Sequence, residues 1–337
     1  MRDTIELDFD VVEKRLKRLR PKIVLLQLPS GLKRKAPQIA EEIERRFACE
    51  VLISGDSCYG ACDVPSATLG HIDAIIQAGH STMPTIKCSK PIIFVPGKLN
   101  IDLDRLIESA TRLLKSPVGL LATAQHIDRL DDAKRLLKQK GFEVRIGKGS
   151  RRLASQGQIL GCDYSAAHAI SKSVSSYLIL GGGRFHAIGL KLATGKPVII
   201  ADPERRDAVL EEIDTDAFLK RRYAVIEKLE NAKSIAIFVS TKTGQNRFAL
   251  AKQLIKSASK KKSCRIVLVD EISPDKLEDL GFDAYVSTAC PRIALDDLDR
   301  YKRQIATPTE LLIALGEMRW ENYLIDEWGF AMQEKRK

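Results

Sequence analysis

Three times along the chain, an amphipathic helix pattern is followed by a continuous apolar run of strand length. The predicted helices span residues 9–20, 102–115 and 216–231, and the apolar runs span residues 22–26, 118–122 and 234–239. Apolar runs that alternate with helices are typical of a parallel sheet that is covered on both faces. This repeat therefore predicts an α/β fold built from copies of one unit.

The length of the chain indicates how many units it holds. At 337 residues it is too long for one ordinary hydrophobic core. We predict three related domains, each a mostly parallel sheet flanked by helices. The predicted domains span residues 1–100, 101–214 and 215–337.

Each first strand of the repeat ends in a polar or glycine-containing turn. The turns are Pro29-Ser30-Gly31, Thr123-Ala124-Gln125-His126 and Ser240-Thr241-Lys242-Thr243-Gly244-Gln245. In parallel sheets, ligands collect at the carboxyl ends of the strands, where helix N-termini present free backbone N–H groups. We therefore expect these turns to form a surface that binds a small molecule.

Three irregular loops, one in each unit, carry a cysteine after a strand-like run. They are Tyr59-Gly60-Ala61-Cys62-Asp63, Leu160-Gly161-Cys162-Asp163-Tyr164 and Ser287-Thr288-Ala289-Cys290-Pro291-Arg292. Three thiolates that meet at one point can hold a four-iron cluster and leave one iron open. Cys290 follows a later strand of its unit than Cys62 and Cys162 do, so convergence requires units that are not strictly symmetric. The alternative is that each cysteine is a small buried apolar residue.

The other cysteines do not form a recognisable local metal motif. Seven cysteines without a secretion signal argue against a disulfide framework. Cys58 and Cys62 are close enough to chelate, but a zinc site normally needs a second close pair, which the sequence lacks. Cys49 and Cys264 are expected to be buried in the core, and Cys88 is expected in a connection.

Several other candidate motifs point to no specific chemistry. Gly181-Gly182-Gly183-Arg184 lacks the spacing of a dinucleotide fingerprint, and Gly189 to Lys196 lacks the spacing of a phosphate-binding loop. His80, His126 and His186 lie at predicted strand ends. Orientation of a neighbour by hydrogen bonds and direct catalysis are both open for them.

The chain is basic, with 55 Lys and Arg against 44 Asp and Glu, a formal net charge of +11. The excess is concentrated at residues 14–20, 148–152 and 260–262. Such runs form either a solvated surface or a docking site for an acidic protein or RNA. No RNA-recognition motif accompanies them, so a nucleic-acid partner is not favoured. Apolar runs are of strand length, and the chain begins without a signal-peptide core, so we expect a cytoplasmic protein with no membrane partner.

Motifs spread over nearly the whole chain carry a family resemblance. They are Leu28-Pro29-Ser30-Gly31-Leu32, Gly55-Asp56, the three cysteine loops, Gly79-His80-Ser81, Thr123-Ala124-Gln125-His126, Gly157-Gln158-Ile159, Asp202-Pro203, Thr243-Gly244-Gln245 and Thr307-Pro308. On these motifs the chain resembles the archaeal diphthamide-synthesis enzymes, which are radical iron–sulfur enzymes. One departure is Ser30, where the family pattern has an acidic residue.

The resemblance implies three domains packed around a central [4Fe–4S] cluster, with Cys62, Cys162 and Cys290 as its ligands and Cys58 outside the ligand set. It further implies a homodimer that receives electrons from a donor. The implied reaction moves the 3-amino-3-carboxypropyl group of S-adenosyl-L-methionine to C2 of a histidine of translation elongation factor 2. The strand-end turns supply the candidate contacts to S-adenosylmethionine. These contacts are Gly31, Gln125, Gly182, Thr243 and Gln245.

Two other functions agree with parts of the sequence. One is a basic α/β scaffold that binds RNA or a ribosomal factor without redox chemistry. The other is a nucleotide-dependent transferase in which the cysteines are incidental. The first predicts salt-sensitive RNA binding that is indifferent to oxygen, and the second predicts activity in air with all three cysteines replaced.

Overall fold

The computed structural model describes residues 6–65, 69–98, 101–212, 214–296 and 300–328 of the 337-residue chain. Three mostly parallel sheets, each flanked by helices, follow one another along these residues. This arrangement confirms the predicted α/β class. Among the described residues, no helix is both long and apolar enough to span a bilayer.

Along the chain, the strands of the first sheet are preceded and followed by the two short strands of a separate ribbon. Its elements are β1 (Glu6–Leu7), α1 (Phe9–Leu19), β2 (Ile23–Gln27), α2 (Ala36–Phe47), β3 (Glu50–Ile53), β4 (Ala74–Ala78), β5 (Ile92–Val95) and β6 (Gly97–Lys98). Strands β2 to β5 form the sheet, and β1 pairs with β6 in a separate antiparallel ribbon. Apolar side chains of α1 and α2 pack on one face of this sheet.

The second sheet has five strands and is parallel except at one edge. Its elements are α3 (Leu103–Thr111), β7 (Val118–Ala122), α4 (Leu130–Gln139), β8 (Val144–Arg145), α5 (Ser165–His168), β9 (Ser176–Leu180), α6 (Arg184–Thr194), β10 (Val198–Asp202) and β11 (Asp207–Leu210). Strand β11 runs antiparallel to β10.

The third sheet has four parallel strands. Its elements are α7 (Thr215–Asn231), β12 (Ser234–Ser240), α8 (Phe248–Ala258), β13 (Ser263–Val269), α9 (Pro274–Glu278), β14 (Ala284–Ser287), α10 (Arg292–Leu295), β15 (Ile305–Ala306) and α11 (Pro308–Ala314). Short 3-10 helices along the chain span Ser30–Lys35, Leu69–His71, Ile127–Arg129, Ser171–Ser173 and Trp320–Asn322.

The three sheets share one strand order, which is second, first, third and fourth in sequence. The predicted repeat is thus present at the level of topology. In this order the connections reverse direction between the first and third strands, and a crevice opens at their carboxyl ends. The predicted boundaries near residues 100 and 214 fall between sheets, and the division into domains stays a prediction.

The largest hydrophobic core lies between the second and third sheets rather than inside one unit. It contains Tyr177 and Ile179 from β9 together with Phe238 from β12 and Tyr285 from β14. The rings of Phe238 and Tyr285 are stacked with centroids 5.7 Å apart. Burying this much apolar surface between two units holds their sheets in a fixed relation.

Local sequence accounts for several helix ends. Thr307 and Glu310 form a capping box at the start of α11, and the Asp214 side chain accepts the backbone N–H of Ala217 at the start of α7. Helix α3 ends at Thr111, four residues before the predicted end. One reason is that the backbone N–H of Lys115 donates to the Ser176 hydroxyl of β9 instead of to a helical carbonyl.

A candidate metal centre lined by three cysteines

The carboxyl ends of the three sheets surround one cavity of about 260 Å³. Cys62, Cys162 and Cys290 all line it, although they lie in three different units. Turns that follow the first strands also contribute, through Thr123, Gln125, Ser240, Lys242 and Gln245. The sequence prediction that the three cysteine loops converge is therefore met by the positions of these residues.

Asp63 shapes the loop that carries Cys62. Its Oδ2 accepts the backbone N–H groups of Tyr59, at 2.6 Å, and Gly60, at 3.1 Å. Its Oδ1 lies 3.2 Å from Lys242 Nζ and 2.5 Å from Gln245 Nε2 in the third unit. One carboxylate thus folds its own loop and also ties that loop to another unit.

The turn that follows β12 approaches Cys62 very closely. The backbone N–H of Gly244 donates to the Cys62 carbonyl at 3.1 Å, and Gln245 Nε2 lies 3.6 Å from Cys62 Sγ. A Cβ atom at position 244 would lie 2.4 Å from Cys62 Cα and 2.5 Å from its carbonyl oxygen. Only glycine fits at this position without moving the backbone of one loop or the other.

Asp163 shapes the loop beside Cys162 through contacts within its own unit. Leu160 and Asp163 exchange backbone hydrogen bonds of 3.1 and 3.0 Å, which closes a tight turn around Cys162. The Asp163 carboxylate accepts the backbone N–H of Ser165 at 3.0 Å and the Ser150 hydroxyl at 2.6 Å. The turn needs Gly161, because a Cβ there would lie 2.1 Å from the Phe185 ring.

Cys290 is placed by the end of the third strand of its sheet. Thr288 hydrogen-bonds the carbonyl of Phe238 through both its backbone N–H, at 3.0 Å, and its hydroxyl, at 2.8 Å. The Cys290 carbonyl accepts the N–H of Ile293 at 3.2 Å as α10 begins. The cysteine therefore sits between two hydrogen-bonded segments and faces the cavity.

Burial raises the pKa of all three thiols. The pKa of Cys290 rises to about 12, and that of Cys62 rises well above its usual range because of burial, the Asp63 carboxylate and the other two thiols. The pKa of Cys162 is also raised, mainly by burial. At neutral pH these groups are protonated thiols unless a soft metal takes the place of the protons.

Thiolates are the ligands that an iron–sulfur cluster takes. Among the described residues, no group of three or more His, Cys, Asp or Glu side chains is arranged around one point as a single metal ion requires. The ligands of a four-iron cluster bind different iron atoms at separate corners, so they surround a volume rather than a point. Three thiols around a cavity match that requirement.

The predicted S-adenosylmethionine contacts fall into two groups. Gln125 and Gln245 line the cavity, whereas Gly31, Gly182 and Thr243 are not among its lining residues. The contacts themselves stay predictions. Asp63, Lys242 and Arg152 also line the cavity and were not among the residues predicted from the sequence. A signal for the first was present in the repeated Cys-Asp pair at residues 62–63 and 162–163.

Two histidines at strand ends also line the cavity, and both are neutral near pH 7. Burial lowers the pKa of His80, and burial together with the nearby Arg292 lowers the pKa of His186 to about 4. His126 is buried but does not line the cavity. The lowered pKa favours the neutral form of both lining histidines at neutral pH.

The remaining cysteines do not line the cavity. Cys49 belongs to the core of the first unit and Cys264 to that of the third, as predicted. Cys58 is buried with its Sγ 3.7 Å from His80 Nδ1, and it does not line the cavity. Although Cys58 is only four residues from Cys62 in sequence, its side chain is not part of the same site.

Replacing Lys242 by methionine is expected to destabilise the protein by about 3–5 kcal/mol, because removing one partner of a buried ion pair leaves the other charge uncompensated. The Lys242 and Asp63 side chains are 7% and 0% exposed. The midpoint of denaturant unfolding measures the effect. Lys252→Met, at an exposed position of α8, is the control and should change stability by about 0.5 kcal/mol or less. Equal midpoints for the two variants would contradict the role of the pair.

Comparison with known proteins places the chain in a family. It matches the family model described as "Putative diphthamide synthesis protein" over residues 28–325. It is 38% identical over 328 residues to the 2-(3-amino-3-carboxypropyl)histidine synthase of Pyrococcus horikoshii, with 96% of this chain and 93% of the relative covered. It is 30% identical over 319 residues to subunit 1 of the human synthase, with 91% and 71% covered.

The same relationship holds in three dimensions. The crystal structure of Dph2 from Pyrococcus horikoshii with a 4Fe-4S cluster superposes with a TM-score of 0.86 at 36% identity, covering 96% of this chain and 94% of that one. Curated relatives in archaea and eukaryotes carry the synthase name. The family model spans most of the chain, and the family resemblance seen in the sequence motifs is confirmed. The chain belongs to the diphthamide synthesis family.

Proposed function

We propose that the protein is a 2-(3-amino-3-carboxypropyl)histidine synthase that transfers the 3-amino-3-carboxypropyl group of S-adenosylmethionine to C2 of a histidine of translation elongation factor 2. A [4Fe–4S] cluster held by Cys62, Cys162 and Cys290 would serve this reaction. The observation that carries the proposal is the presence of these three cysteines, from three units, around one cavity. Support comes from the relative of known structure, which holds a 4Fe-4S cluster.

When bound, the cluster would supply one electron to the sulfonium. The bond to the methionine Cγ would break, methylthioadenosine would leave, and the 3-amino-3-carboxypropyl radical would add to C2 of the histidine, which would then return one electron to the oxidised cluster and lose the C2 proton. The protein's part is to hold S-adenosylmethionine so that its Cγ, rather than its ribose carbon, faces the bound cluster. Positioning of this kind is the main influence that a protein has on cofactor chemistry.

Charged side chains around the cavity suit the charges of S-adenosylmethionine. The carboxylates of Asp270 and Glu271 line it and complement a sulfonium and an ammonium group. Arg292 also lines it and complements a carboxylate. Gln125 and Gln245 add amide donors and acceptors that can fix the orientation of the bound molecule.

The accepting histidine belongs to the partner protein, so the reaction needs no histidine of this chain. The net charge of +11 favours docking of an acidic surface of elongation factor 2, which added salt should weaken. We also propose a homodimer that receives electrons from a separate donor. Ser30 stands where relatives are expected to carry an acidic residue, next to the candidate contact Gly31.

An anaerobic preparation is expected to be brown and to contain about four irons per chain. Turnover of S-adenosylmethionine with elongation factor 2 should release methylthioadenosine, which chromatography measures. A colourless, zinc-containing protein would contradict the cluster. Release of 5′-deoxyadenosine instead would contradict the assigned bond cleavage, and tight RNA binding without iron would favour the non-redox scaffold.

A further inference from the structure

Arg152 is a buried cation at the cavity that has no acidic partner among the residues that the structure describes. Its side chain lines the cavity and the residue is only 7% exposed. Its Nε has no hydrogen-bond partner, and no carboxylate of the described residues forms an ion pair with it. Burying an uncompensated charge is costly, so a cation in this position calls for a negative group beside it.

The contacts of Arg152 point to where that negative group would be. Its Nη2 lies 3.6 Å from Cys162 Sγ and 3.6 Å from Met83 Sδ of the first unit. Its backbone is held by the Ser150 hydroxyl, which in turn donates to Asp163. The guanidinium therefore reaches the cysteine sulfur from a loop that is anchored beside that cysteine.

A C-terminal segment keeps the guanidinium in this place. The Arg152 guanidinium carbon lies 3.9 Å from the centre of the Trp328 ring, and Arg247 contacts the same ring at 5.0 Å. The backbone N–H of Trp328 donates to the Cys162 carbonyl at 2.8 Å. Arg247 also forms a two-point ion pair with Asp326, at 2.7 and 3.0 Å.

We name residues 326–328 the C-terminal clamp, because each of them holds this region. Glu327 completes it by accepting the backbone N–H of Tyr164 at 3.0 Å. The region that matches the family model ends at residue 325, so the clamp lies just outside it. The clamp thus fixes both the cysteine turn and the arginine that reaches its sulfur.

A positive hydrogen-bond donor at a ligand sulfur has a known electrostatic consequence. A cluster held by three thiolates is net negative and becomes more negative when it takes up an electron. A guanidinium beside one ligand stabilises that added charge, and hydrogen bonds to cluster sulfurs are among the groups that set the reduction potential. The effect is strong in a buried site, where water screens charge poorly.

We infer that Arg152 is a positioning residue that raises the reduction potential of the cluster through Cys162, and that the C-terminal clamp holds it there. The inference rests on the proposed function, since it requires the cluster. Arg152 would thus influence the cluster without binding an iron atom. It also explains why Trp328 stacks on a buried arginine at the back of the cysteine turn.

The test is a redox titration of the anaerobically prepared protein, followed by the absorbance and electron paramagnetic resonance of the cluster. Arg152→Gln removes the charge and should lower the reduced-to-oxidised ratio at a fixed potential about tenfold, a shift of 59 mV for one electron. Arg152→Lys and Trp328→Leu keep the charge but loosen the contact, so smaller shifts in the same direction are expected. Arg135→Gln, on the exposed face of α4, should titrate as the wild type does.

The outcomes separate this inference from the proposed function. A wild-type protein without the cluster defeats the proposed function itself. If the wild-type protein holds the cluster and the variants keep the wild-type reduction potential, only the role of Arg152 is refuted. This holds even if the iron content of the variants falls. An unchanged potential with a raised KM for S-adenosylmethionine would assign Arg152 to substrate binding instead and would equally overturn the inference. If Arg152→Gln holds no iron, the potentials of Arg152→Lys and Trp328→Leu decide.

Discussion

Replacing Cys62, Cys162 or Cys290 singly by alanine is expected to remove the cluster and the transferase activity together. Each residue reaches the cavity from a different unit, and none of the other described cysteines lines it. Changes in residues that only support metal ligands already lower metal affinity by about 10–100-fold, and loss of a ligand should cost at least as much. Iron content per chain and methylthioadenosine release measure the two losses.

Cys49→Ala and Cys264→Ala are matched controls for these substitutions. Both residues are buried in single-unit cores away from the cavity. They should lower stability by about 1 kcal/mol and leave iron content unchanged. Cys58→Ala is the sharper control, since it lies in the same loop region as Cys62 but does not line the cavity. A loss of iron in Cys58→Ala that equals the loss in Cys62→Ala would contradict the assigned ligand set.

Gly244→Ala should displace Cys62, although Gly244 itself has no side chain that could bind the cluster. The added Cβ would lie 2.4 Å from Cys62 Cα, which is backbone and cannot rotate away. Overpacking of this kind costs about 1–3 kcal/mol where side chains can shift, and more is expected where backbone must move. The two loops are expected to separate, with loss of the hydrogen bond from Gly244 to Cys62 and with most of the iron lost.

Gly55→Ala is the matched control, because nothing lies within 4 Å of a Cβ built at that position. It should retain its iron and its unfolding midpoint. The comparison requires both iron analysis and thermal unfolding, since a folded Gly244→Ala protein with little iron shows that the loop contact matters for the site. Full iron content in Gly244→Ala would mean that the approach of the two loops does not position Cys62.

Much of the fold follows from local sequence. The apolar runs at residues 118–122 and 234–239 become the buried strands β7 and β12, because a fully apolar strand is stable only between two covered faces. The amphipathic stretch at residues 216–231 becomes α7 almost to the residue. These elements depend on interactions between residues a few positions apart, and hydrophobic periodicity in the sequence reflects interactions of that range.

The supporting groups of the site do not follow from local sequence. The carboxylate of Asp63 is tied to Lys242, which is 179 residues away, and Arg152 is stacked on Trp328 from the far end of the chain. Nothing in the sequence around Arg152 distinguishes it from the neighbouring Arg151 in a basic run. Its burial and its partner exist only after the C-terminal clamp has packed against the second unit.

The amino-acid sequence by itself determined the α/β units, the turns at their strand ends and the three loops that carry Cys62, Cys162 and Cys290. Hydrophobic periodicity and turn residues act over short sequence distances, so their effects can be predicted from the sequence alone. Only the tertiary structure decided that these loops meet at one cavity, that Cys58 stays outside it, and which charges surround it. That outcome depends on how three sheets pack against one another, through the core between the second and third units and the contact of Gly244 with Cys62.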